Sequence, residues 1–456
     1  MTGKTNIKVR LAAMNFLEFA VWGTYLVSMG MFLGSHGLGE QVFWFYTVQG
    51  LVSIFMPALI GIIADRWVPA QITFSICHLL AGGFMIAAGL CAADMLATQG
   101  TLTFGPLFTL YTLSVAFFMP TIGLANSVAF NGLEKNHLST IDDFPPIRTF
   151  GTIGFICAEF AVNFIAIGGE KIQFSYTQFI LCGCVSLLLA LYSLTLPACP
   201  VAKGGNKKSL SDALGLKAFT LFKHKDMAMF FIFSMLLGVS LQITNSYGSM
   251  YINHFNEVPE YAGGFWAVNP TFLISISQCA EALCILAIPF FLHRIGIKGV
   301  MLMAMFSWVL RFGFFGIGNT NPSGITFLIL SCIVYGVAFD FFNVSGGLYV
   351  DSRVAPAQRS SAQGLFMLMT NGVGASIGTV LAGTCVVNKL VNVPGLDAVQ
   401  QLQGWRESWF IFAGYALIVA LLFLFCFHEN KNAARVGEPE IRRESSESDD
   451  PAGLTE

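Results

Sequence analysis

Six ionisable side chains sit in surroundings that are otherwise almost wholly apolar: Glu18, Arg148, Glu159, Glu281, Arg311 and Asp340. A charged group at the centre of a lipid-embedded helix costs about 2.5–3.5 kcal/mol on insertion scales, so each needs a reason to be there. Four acids against two bases leave at least two carboxyls without a basic partner, and a buried acid without a partner is tolerated as its neutral form. Reversible proton binding is the chemistry open to such groups. Spacing adds to this. Arg148, Thr152, Phe155 and Glu159 recur at i, i+4, i+7 and i+11, one stripe of a helix able to line a cavity. Gln242 and Asn245 share a face at i, i+3, as do Gln278 and Glu281. Tyr335 and Phe339 share another, with Asp340 turned about 100° away from Phe339 and free to face a neighbouring helix. Glu18 lies on a stripe with Trp22 and Tyr25.

Each has a plainer reading. Buried amides can serve as hydrogen-bonding glue between helices. Phe155 and Phe339 can be packing rather than stacking platforms. Arg311, toward the end of its apolar run, reads as a structural residue snorkelling to the interface.

The elements that must hold these residues follow from composition. Of 456 residues 55% are hydrophobic and only 11% charged, and mean hydropathy is +0.68, outside the range of soluble globular chains. Apolar runs long enough to cross a bilayer fall at about 9–34, 41–64, 69–93, 103–130, 146–169, 174–197, 227–253, 265–292, 298–318, 324–350, 361–388 and 406–427. The expected fold is an all-α polytopic membrane protein of twelve transmembrane helices. The first run is too long for a signal-peptide core and reads as a span. The net charge of −2 argues against nucleic acid as partner. The eleven Cys residues show no metal-ligand spacing.

Lys171, Lys389 and Arg406 lie on one side of this arrangement, Arg148 and Arg311 lie within spans, and every other Lys or Arg falls on the side of the termini. Both termini are therefore expected in the cytoplasm of a cell with an inner membrane. The chain divides into a six-helix half (1–198), a basic central loop (199–226), a second six-helix half (227–428) and a charged, Ser-rich tail (429–456) too polar to fold. Residues 209–222 have the mix of an amphipathic surface helix or of a plain linker. Six plus six spans is the layout of the major facilitator superfamily, and Gly61-Ile-Ile-Ala-Asp-Arg66 is like its loop between helices 2 and 3. Gly374-Ala-Ser-Ile-Gly378 fits a nucleophile-elbow pattern, but inside an apolar run it reads as small residues for helix packing. No phosphate-binding loop, metal-binding helix or cofactor motif is present, so neither an enzyme nor ATP-driven uptake is indicated.

Four strings carry a resemblance: 143–155 (DFPPIRTFGTIGF), 231–245 (FIFSMLLGVSLQITN), 274–281 (ISISQCAE) and 333–343 (IVYGVAFDFFN). They are similar to the bacterial nucleoside:proton symporters of the major facilitator superfamily, and the similarity runs from the first span through Trp409–Tyr415. The resemblance implies import of nucleosides with protons by alternating access, in a carrier working as a monomer. It implies a nucleoside site of Arg148, Thr152, Phe155, Gln242, Asn245, Gln278, Glu281, Tyr335 and Phe339, with Asp340 and Glu281 coupling to protons. Glu18 and Glu159 depart from the family pattern and are possible additional acids. A major facilitator carrier of a sugar or drug, or a membrane sensor without flux, are the alternatives.

Overall fold

The computed structural model describes residues 3–199, 216–354 and 359–428. The order of helices is α1 (Gly3–Gly23), α2 (Met29–Leu33), α3 (Val42–Arg66), α4 (Ala70–Gln99), α5 (Phe104–Lys135), α6 (Thr140–Phe164) and α7 (Thr177–Ser193). After the central loop come α8 (Lys225–His254), α9 (Pro270–Cys284), α10 (Ile288–Ile317) and α11 (Ile325–Arg353). A helical run then joins α12 (Arg359–Met367), α13 (Ala375–Leu381) and α14 (Asn388–Leu390) through π-helical stretches, and α15 (Ala398–Cys426) ends the described chain. The tail and most of the central loop, including residues 209–215 of the expected surface helix, lie outside the described residues. Leu216–Lys223 form a 3₁₀ helix.

Eight helical stretches among the described residues are long and apolar enough to cross a membrane. Two of these are interrupted by non-helical backbone. Met29–Ala64 is interrupted at His36–Gly37, and Pro270–Ile317 at Gly296. Gly296 has φ +71°, where a side chain would be strained, so the backbone turns there between two apolar runs.

Several span limits shift. The first run is not one helix: α1 gives way to turns after Gly23, whose missing side chain leaves room for the Phe155 backbone. The fifth ends at Phe164 rather than 169, because Gly168 and Gly169, at φ +67° and +91°, make a tight hairpin turn between two strands, β1 (Ala166–Ile167) and β2 (Glu170–Lys171). The last begins eight residues before its expected start at 406, where Asp397 caps α15: its carboxylate accepts from the Gln400 backbone amide at 2.8 Å, and its own backbone amide donates to Gln400 Oε1 at 3.0 Å.

In the first group α1 packs on α6 and α7, and α4 on α5 and α7; in the second α10 packs on α11 and α15, and α9 on α11. The groups meet where α2 touches α8, α3 touches α13 and α6 touches α9. In the nucleophile-elbow string, a methyl group on Gly374 would strike the Met235 carbonyl and one on Gly378 the Val239 backbone, both on α8. Those residues therefore let helices approach closely, as their apolar setting indicated.

Candidate functional site

Glycine fixes how α6 presents its polar stripe. Methyl groups on Gly151 and Gly154 would collide with Phe19 and the Phe16 backbone, so α6 seats directly on α1. On this helix Arg148 and Thr152 are half-buried, Phe155 is buried and Glu159 is fully buried. The Arg148 guanidinium lies 3.8 Å above the Phe19 ring centroid. It is within electrostatic reach of Glu281 on α9, of Glu18 on α1 and of Asp340 on α11. Glu281 and Asp340 also feel one another. These two acids are brought together by Gly336, where a side chain would come within 2.7 Å of the Ala280 backbone.

The second group supplies the remaining candidates. Gln242 and Asn245 do share a face, and the Asn245 amide donates to Gln242 Oε1 at 3.0 Å. Gln278 is buried with its amide oxygen unpartnered, and Asp340 is buried with Oδ2 unpartnered. Tyr335 and Phe339 stack, centroids 5.7 Å apart and planes 12° apart, giving a flat aromatic wall. Opposite in sequence, Phe155 meets Trp22 edge-on at 6.5 Å. The Trp22 indole N–H is buried without a partner. Its signal in the sequence was its place one turn from Glu18.

Three polar clusters depart from simple expectation. Arg311 does not snorkel. It is 1% exposed, and its guanidinium donates to Thr244 Oγ1 at 3.2 Å, Ser277 Oγ at 3.3 Å and the Ser331 carbonyl at 2.8 Å while lying 4.3 Å from the Tyr335 centroid. It ties α8, α9 and α11 together beneath the aromatic wall, a structural role reached from inside the bundle. Glu18, fully buried, has both oxygens occupied: His78 Nε2 lies 2.7 Å from Oε2, and Thr121 donates to Oε1 at 2.7 Å. His78 Nδ1 in turn lies 3.0 Å from Ser186 Oγ, so α1, α4, α5 and α7 share one network. Glu159 is equally buried, yet neither of its oxygens has a partner.

A latch that the sequence did not reveal joins the two groups. The Asn163 amide donates to Asn269 Oδ1 at 2.8 Å, and Asn163 Oδ1 accepts from the Phe272 amide at 3.2 Å. Lys171 on the hairpin donates to Asn269 Oδ1 at 2.7 Å and to the Val268 carbonyl at 3.0 Å. Burial lowers the proton affinity of the Lys171 ammonium from the ordinary lysine value. Further along, Ser249 donates to the Val27 carbonyl, Ser376 to that of Thr47 and Asn388 to that of Glu40. These hydrogen bonds between the groups lie in the part of the molecule distal to the chain ends. A separate apolar groove of about 540 Å³ lies between α1 and α6 near Lys8 and Asp143.

Comparison with known proteins gives the family and the fold. Residues 5–432 match the family described as "Nucleoside H+ symporter". The chain is 42% identical to the xanthosine permease of Escherichia coli over 94% of its own length and 98% of the relative's. It is 40% identical to the nucleoside permease NupG of the same species, covering 92% and 96%. A crystal structure of the nucleoside transporter NupG superposes with TM-score 0.80, 40% identity and coverage of 92% and 98%. A bacterial homologue of the lysosomal transporter Spinster, 14% identical with TM-score 0.65, shares the fold. The chain is thus a transporter rather than an enzyme, built on the major facilitator fold, and it belongs to the nucleoside H+ symporter family.

Proposed function

We propose that this chain imports nucleosides together with protons by rocking two six-helix halves, 1–198 and 227–428, about the polar cluster between them. The reading rests on one observation above all: Arg148 from the first half stands within electrostatic reach of Glu281 and Asp340 from the second. A nucleoside offers a planar base and a ribose rich in hydroxyls. The Tyr335–Phe339 wall and Phe155 suit the base, since stacking of a base on an aromatic ring is worth about 1–3 kcal/mol. Gln242, Asn245 and Gln278 can donate and accept around the base edge and ribose. Thr152 adds a hydroxyl, and Arg148 can fork onto a carbonyl or ribose oxygen.

Proton coupling falls to Asp340 and Glu281. With Arg148 shared between them, protonating one acid leaves the guanidinium to the other, so cargo and proton alter one electrostatic balance. Each proton carried with neutral cargo moves one positive charge, worth about 2.3 kcal/mol per 100 mV of membrane potential. In this reading twelve spans cross the inner membrane, both termini are cytoplasmic and the carrier works as a monomer. The latched end then faces outward.

The test is uridine-driven proton flux in proteoliposomes. The parent should acidify the lumen on uridine entry, and Asp340→Asn should abolish accumulation against a gradient while leaving exchange. Full accumulation by Asp340→Asn with native pH dependence would remove it from the coupling, and no uridine entry by the parent would sink the reading.

A further inference from the structure

Resting on the reading as a proton-coupled carrier, we infer that Glu159 is a gate acid: it takes a proton from the outer solution, closes the seam between α6 and α9 only when neutral, and returns that proton to the same side.

The stripe that begins at Arg148 does not stop at Glu159. Four residues on, about 6 Å along the helix axis, it reaches Asn163, the first member of the latch. Glu159 therefore lies between the polar cluster and the closed outer end. It is fully enclosed, and both carboxyl oxygens lack a hydrogen-bond partner. The titratable groups facing it are Glu281 and Cys279 from α9 and Tyr335 and Cys332 from α11. None of these offers a positive charge. Arg148, eleven residues earlier, serves Glu281, Glu18 and Asp340.

An ionised carboxyl enclosed there would be neither hydrated nor paired, which the closed seam cannot tolerate. When the latch parts, water from the outer side reaches Glu159, the acid can ionise, and the open seam is the arrangement its anion favours. A proton from outside reverses this. Because the acid is enclosed for as long as the seam stays shut, its proton cannot leave inward. It adds pH dependence to closing without adding a proton to each transported nucleoside.

The experiment uses the full chain in nanodiscs, with spin labels carried on unnatural amino acids at Thr101 and Ser323, exposed residues of the outer loops of the two halves. In the parent, the distance between labels should lengthen as pH rises from mildly acid to mildly alkaline. Glu159→Gln and Glu159→Met should shift the distance distribution toward the short distance and remove its dependence on pH, and uridine entry into proteoliposomes, though slower, should keep the parent's proton count per uridine. Either variant suffices should the other fail to fold. Opening with pH as in the parent overturns the inference, as does a lower proton count, which would make Glu159 a carrier of transported protons. If the parent moves no protons with uridine, the underlying reading fails, and the label distances alone then decide whether Glu159 governs the seam.

Discussion

Glu18 and Glu159 are the same residue type at the same degree of enclosure, and they have opposite surroundings. Glu18 sits inside the first group of helices with His78 and Thr121 on its two oxygens. Glu159 sits where two groups meet and has nothing on either. A polar group inside one rigid unit can be given fixed partners, because those partners never leave. At a seam that must open, fixed partners would have to be broken in every cycle. Arg311 belongs with Glu18: it binds three helices of one group through Thr244, Ser277 and Ser331. Asp340, with one unpartnered oxygen, belongs with Glu159.

Thermal unfolding in detergent tests this contrast most severely. His78→Ala strips Glu18 of one of its two partners and should cost about 3–5 kcal/mol, the range for breaking a buried pair from one side. A loss below one kcal/mol, on the order of an exposed pair, would show that the network is not holding four helices together. The sign should reverse at the seam. Glu159→Met replaces an unpartnered carboxyl by a thioether of similar length and should raise stability by about 1–3 kcal/mol, the penalty for an unsatisfied buried polar group. A destabilised Glu159→Met would mean that the acid has a partner, and the contrast would dissolve. The smallest effect belongs to the latch. Lys171→Met removes a donor to Asn269 and Val268, each bond worth about 0.5–1.5 kcal/mol net. It should lengthen part of the Thr101–Ser323 distance distribution while leaving the unfolding temperature nearly unchanged.

What the sequence made legible was whatever depends on helical period. Arg148, Thr152, Phe155 and Glu159 fall on one stripe, and Gln242 with Asn245 on one face, because 3.6 residues per turn fixes both before any tertiary contact forms. The family strings supplied the fold. Depth and partnership were hidden. Arg311 read as a snorkelling residue, since position along a span does not tell which way a side chain turns. His78 drew no notice beside the six ionisable residues singled out, although it completes the Glu18 network. The latch pairs Asn163 with Asn269 across 106 positions and rests on a two-residue hairpin turn, a long-range contact that no local pattern records.

The Asn245–Gln242 hydrogen bond bears on how tightly cargo can be held. The Asn245 amide N–H and the Gln242 Oε1 are already engaged with each other, so a ribose or base that bonds to those two atoms replaces an existing interaction instead of filling a void. Such a swap gains little net free energy per contact. Modest grip of this kind suits a shuttle, whose turnover depends on letting go at the far side as readily as it loads at the near one.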